Sequence, residues 1–174
     1  MALHDEVVRA GVVAGGVDTR YLGTGRGAPV LVLTDDPARR AVLLEHFPRG
    51  LRIIAPDLHK GPHEWVAWRD DPAWLASFLD ALGLWRVAVV ADAALAATSV
   101  AMALAAPGRV ASLVLLQNGL VSEGQDEDGF DAQTGLLTSG IPLLAVWVGA
   151  GDAGSLTRTL PRIADFLATP RAED

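Results

Sequence analysis

The chain has 174 residues, 51% of them hydrophobic, no cysteine and a formal net charge of -7. That length and apolar share suit one domain over 1–174, able to bury roughly 70% of the surface an unfolded chain exposes. The acidic balance without a basic stripe excludes nucleic acid as a partner, and the lack of cysteine excludes a disulfide framework and fits a reducing, cytoplasmic setting.

The first residues, Met1 to Glu6, lack the basic start and apolar core of a signal peptide. Val7–Val13 and Val17–Leu22 are β-branched runs around Gly15-Gly16, which predicts an antiparallel hairpin. After Gly23 to Pro29 the unbroken apolar run from Val30 predicts a strand covered on both faces. Arg39–Phe47 reads as a helix stopped by Pro48 and Gly50, and Leu51–Ala55 as the next buried strand. Asp71-Pro72 opens a second helix that carries Trp74, Leu75, Phe78, Leu79 and Leu82 on one side and stops at Gly83.

Strand Val87–Val90, helix Ala93–Ala105, strand Val110–Leu116, strand Ile141–Val148 and helix Leu156–Leu167 complete the pattern. The span from Val87 to Ala106 is the most apolar, yet it carries Asp92 and reads as strand plus helix, so no membrane crossing is expected. Repeated strand–helix–strand units predict an α/β domain with a mainly parallel sheet and helices on both faces. The acidic stretch between Asn118 and Gly140 reads as a solvated connection. Its Asp126-Glu127-Asp128-Gly129 lacks the far ligand of a calcium loop.

Five pieces in this order resemble the α/β-hydrolase fold family. They are Gly25 to Leu33 at the first central strand, Arg52 to Leu58 at the next strand and loop, and Phe78 to Val87 before the central turn. Ala106 to Leu116 resembles the strand after that turn, and Ile141 to Asp152 the strand that leads to the family's acid. The resemblance implies an α/β-hydrolase-like sheet with an N-terminal hairpin. It also implies a truncated, degenerate member with no cap domain and no eighth strand, whose free edge at Ile141–Val148 is shielded by the C-terminal helix or by a partner in a homodimer.

Carried over residue by residue, the family's machinery is mostly missing. The elbow Gly-x-Ser-x-Gly reads Ala91-Asp92-Ala93-Ala94-Leu95, so the serine position falls on Ala93. A shift of one residue makes Asp92 resemble the aspartate nucleophile of haloalkane dehalogenases and epoxide hydrolases, without the glycines of the tight turn. The oxyanion stretch appears as Thr34-Asp35-Asp36-Pro37, whose aspartates would oppose a developing oxyanion and suit helix capping. Asp152 matches the acid, but no histidine follows His63, so the triad lacks its base.

The candidate catalytic residues are therefore Asp92, Asp152 and His63. Thr34, Asp35, His59, Trp65, Trp68, Ala93, Gln117 and Asn118 are the candidate ligand-binding residues, placed by the pattern at or beyond the carboxyl ends of the strands. Neither cofactor nor metal is implied, and the expected partner is a small molecule. Three readings follow: a repurposed enzyme acting by non-covalent acid/base chemistry on a small apolar metabolite, a catalytically silent ligand-binding or assembly module, or a hydrolase with Asp92 as nucleophile.

Overall fold

The computed structural model describes residues 6–47, 50–58, 71–118, 139–148 and 153–169. Strands β1 (Val8–Ala14) and β2 (Val17–Thr24) form the expected hairpin, with Gly15 at φ 56° and Gly16 at φ 81°. Positive φ at both central positions gives the primed turn whose twist matches its strands, which is why a Gly pair stands there. Strand β3 (Ala28–Leu33), helix α1 (Pro37–His46) and strand β4 (Leu51–Pro56) follow. Next come helix α2 (Pro72–Ala81), strand β5 (Val87–Asp92) and helix α3 (Ala96–Ala105). Strands β6 (Val110–Asn118) and β7 (Leu143–Val148) and helix α4 (Ala153–Ala168) complete the described elements.

The seven strands lie in the order β1-β2-β4-β3-β5-β6-β7. The pairs β1/β2 and β2/β4 are antiparallel, and every pair from β4 to β7 is parallel. Chain direction explains where the helices go. From β3 the chain steps one way to β4, whereas from β4 to β5 and from β5 to β6 it steps the other way. Right-handed crossovers then place α1 on one face and α2 and α3 on the opposite face.

Side-chain alternation along the strands feeds both layers. Leu31, Leu33, Ile54, Val89 and Leu113 share a core with Trp74 and Phe78 of α2 and Met102 of α3. Val30, Val32, Ile53, Val90 and Val114 share the other core with Leu43 of α1 and Leu156, Leu160 and Ile163 of α4. This two-sided burial accounts for the unbroken apolar runs of the central strands. Phe78 anchors the first layer by stacking on Trp74 at 5.4 Å and meeting Tyr21 edge-on at 5.9 Å.

Both Asp-Pro pairs start helices. Asp36 accepts from the amides of Ala38 (2.8 Å) and Arg39 (3.3 Å), and Asp71 from that of Ala73 (2.8 Å), with proline at the first helical position each time. Several boundaries differ from the sequence reading. β5 and β6 run on to Asp92 and Asn118 because their parallel pairing continues through Asp92↔Leu116 and, with β7, through Asn118↔Val148. The helix expected from Ala93 starts at Ala96, after a 3-10 turn over Ala93–Leu95. The last strand starts at Leu143, since Pro142 has no amide to give to a ladder, although its carbonyl accepts from Leu113 at 2.9 Å.

Strand β7 ends the described sheet. The C-terminal helix was one candidate to shield that edge, but α4 instead packs its Leu156, Leu160 and Ile163 into the core beneath the sheet, so it covers a face. The acidic connection falls largely outside the described residues. Truncating Phe78 tests the layer that α2 closes. Phe78→Ala should lose about 3–5 kcal/mol of unfolding free energy, seen as a lower urea midpoint, because a fully buried ring leaves a cavity its neighbours only partly refill.

Candidate functional site

The order of the strands fixes one position before any side chain is considered. The order in which successive strands are laid down reverses between the parallel neighbours β3 and β5, and open α/β sheets bind ligands at the carboxyl ends of the strands at such a switch point. Leu33 of β3 pairs with Ala91 of β5, so the residues that follow, Thr34 and Asp92, come side by side at that corner. They are 2% and 3% exposed.

A chain of hydrogen bonds joins them. The Asp36 amide donates to Thr34 Oγ1 (3.1 Å), and the Thr34 hydroxyl donates to Asp92 Oδ2 (2.6 Å). The Asp35 amide donates to the same Oδ2 at 3.3 Å. Asp92 Oδ1 is buried with no hydrogen-bond partner among the described residues. Burial raises the pKa of this carboxyl above its ordinary value. The Thr34 hydroxyl opposes that shift, the Asp35 charge adds to it, and the Asp35 amide and the Arg39 guanidinium also oppose it.

Asp92 has φ -79° and ψ 173°, an extended backbone, and no described residue other than glycine has a positive φ. A hydrolase elbow places its nucleophile on a sharp, strained strand-to-helix turn. Here β5 instead runs straight to Asp92 and then eases into the 3-10 turn. Leu95 occupies the site of the second elbow glycine, and its side chain is 1% exposed within the α2–α3 core. Ala93, at the expected serine position, follows Asp92 on that turn and presents only a methyl group.

Of the sequence candidates, the structure brings together Thr34, Asp35, Asp92 and Ala93 at one corner. Gln117 and Asn118 stand at the same edge, one and two residues beyond Leu116, the partner of Asp92. Asp35 corrects the capping expectation. Asp36 alone caps α1, while the Asp35 amide turns back to Asp92. His59, His63, Trp65, Trp68 and Asp152 lie outside the described residues. Sequence reasoning missed Arg39, which is 8% exposed, stands 3.6 Å from Asp36 and acts electrostatically on Asp92. Its place in the first turn after Asp35-Asp36-Pro37 was the available signal.

Among the described residues no three histidine, aspartate or glutamate side chains gather as metal ligands, and no helix is long and apolar enough to cross a membrane.

No protein-family model matches the chain. It is 36% identical over 143 residues to the 2-hydroxy-6-oxo-2,4-heptadienoate hydrolase of Pseudomonas putida, an alignment that covers 71% of this chain and 49% of that enzyme. The chain thus spans about half the length of the curated relative it matches. An epoxide hydrolase of Vigna radiata shares its fold with a TM-score of 0.55 at 22% identity, over 75% of this chain and 47% of the other. A haloalkane dehalogenase of Agrobacterium tumefaciens gives 0.54 at 23%, over 64% and 41%. Together with the strand order and the switch-point corner, these likenesses make the chain an α/β-hydrolase-fold relative.

Proposed function

We propose that the protein binds a small, largely apolar metabolite at the carboxyl edge beside β3 and β5 and acts on it by proton transfer through Asp92, without a covalent intermediate. The observation that carries this reading is the asymmetry of the Asp92 carboxyl. Thr34 and Asp35 both donate to Oδ2, whereas Oδ1 is buried without a partner among the described residues. Because the Asp36 amide occupies one side of Thr34 Oγ1, the hydroxyl proton points to Asp92. A proton on the carboxyl therefore belongs on Oδ1. Burial holds that proton to higher pH than an exposed aspartate would, as a general acid requires. The Pseudomonas putida relative, named for action on 2-hydroxy-6-oxo-2,4-heptadienoate, supports a small organic molecule as the ligand class.

A serine mechanism has no attacking oxygen at Ala93. Nucleophilic attack by Asp92 is disfavoured by its extended backbone, which lacks the strained turn of a nucleophile elbow. The silent-module reading is favoured by one specific feature: the Asp35 amide, which follows β3 where oxyanion donors are expected, is spent on Asp92. We carry the homodimer forward as part of the proposal, with a second copy pairing along β7.

A thermal-shift screen of metabolites against wild type and Asp92→Asn separates these readings, because a ligand at a hundredfold excess over its Kd stabilises by about 2.7 kcal/mol. The expected result is a ligand that stabilises both proteins and is converted only by wild type. Binding without conversion by wild type would establish the silent module. A mass increase of wild type after exposure to an epoxide would establish the nucleophile.

The buried carboxyl also sets a pH dependence. Its folded pKa is raised above the unfolded value of about 3.9, so the folded state holds the proton more tightly between the two values. The stability this contributes is complete below the unfolded pKa and is lost as pH rises through the folded pKa. In urea unfolding from about pH 4 to 8, wild type should lose stability relative to Asp92→Asn as pH rises. Parallel curves would mean that Asp92 titrates normally.

A further inference from the structure

We propose that a dianionic phosphate group, free or carried by a small phosphomonoester, binds in a depression where β1, β2 and α1 meet the end of β4. The depression encloses about 500 Å³ and is lined by Arg9, Gly11, Arg20, Leu22, Arg40 and Asp57, among others. Its volume lies within the range of about 300–1,000 Å³ typical of small-ligand sites, larger than one ion needs.

Strand register assembles the charge. Arg9 pairs with Leu22 and Gly11 with Arg20, and directly opposed residues of an antiparallel pair share a face. Arg9 and Arg20 are thus diagonal neighbours, with Cβ atoms roughly 7–8 Å apart, a separation at which two guanidinium groups repel unless an anion lies between them. Leu22 pairs in turn with Ala55, which belongs to the core under α1, so this is the sheet face that α1 covers. From α1, Arg40 reaches over with Nη1 at 3.4 Å from Asp57 Oδ1. Asp57 is fixed there by its own amide, which donates to the Arg20 carbonyl at 2.7 Å.

Among the described residues three guanidinium groups and one carboxylate thus line the depression, in a chain whose formal charge is -7. Neither Arg9 nor Arg20 has an ion-pair partner among the described residues. Planar guanidinium forks match phosphate oxygens in pairs, and two positive charges in excess match a dianion better than a single carboxylate. Gly11 leaves the floor beside Arg20 without a side chain. A Cβ there would meet only the Thr19 carbonyl oxygen, at an ordinary 3.6 Å, so the gap is space and not a backbone requirement.

The test is calorimetric titration of the full chain with inorganic phosphate and with phenyl phosphate, at an ionic strength held constant with sodium chloride. Wild type should bind both, and tighter binding of phenyl phosphate would assign a phosphomonoester over the free ion. Arg20→Gln should weaken binding about tenfold through loss of a charge-assisted contact. Gly11→Val should abolish binding by filling the floor with charge unchanged, which a diffuse attraction of anions would not sense. Both positions are exposed, and matching urea midpoints would confirm intact folds; if Gly11→Val fails to fold, Arg20→Gln decides alone. No heat with wild type, or equal affinity in all folded proteins, would overturn the proposal.

Discussion

The hydrogen bond from Thr34 to Asp92 ties the end of β3 to the end of β5 at the corner where the sheet changes direction. Two central strands buried on both faces must end somewhere, and their first polar groups meet here out of reach of bulk water. A buried carboxyl without donors would be costly. The Thr34 hydroxyl and the Asp35 amide supply them to one oxygen, and Arg39 supplies opposite charge from the first turn of α1. The start of α1, the end of β5 and the protonation of Asp92 are therefore one coupled arrangement.

Fold and site chemistry are separable at such a corner. Acyl transfer at such a corner needs an attacking oxygen on a strained turn and uncommitted amides facing the developing oxyanion. In this chain the turn is relaxed, Leu95 fills the position that would otherwise let backbone approach, and the Asp35 amide already serves a carboxylate. Apolar packing on both sides of the sheet is indifferent to these changes. The layers below the corner depend on volume and pattern, and the corner itself on a few hydrogen bonds.

Much of the scaffold was legible from local chemistry. Gly15-Gly16 demanded a primed turn, and the two Asp-Pro pairs could cap helices whatever lay around them. Strand ends were less legible, because β5 and β6 extend as far as their neighbours offer partners, and a partner is not visible in the run itself. The division of labour between Asp35 and Asp36 was hidden for a related reason. Both side chains can cap a helix, and only the approach of β5 drew the Asp35 amide toward Asp92.

The sequence alone determined the fold class, the Asp-Pro helix starts and the lack of an attacking oxygen at Ala93, since a methyl cannot attack a carbonyl in any geometry. Tertiary structure decided that Thr34 and Asp92, 58 residues apart, share a proton-bearing contact and that one oxygen of Asp92 is buried without a partner among the described residues. It also decided that Arg9, Arg20 and Arg40 converge. The physical reason is range. Turn preference and side-chain pattern act between near neighbours in the chain, whereas desolvation and charge act between groups that only the register of the strands brings together.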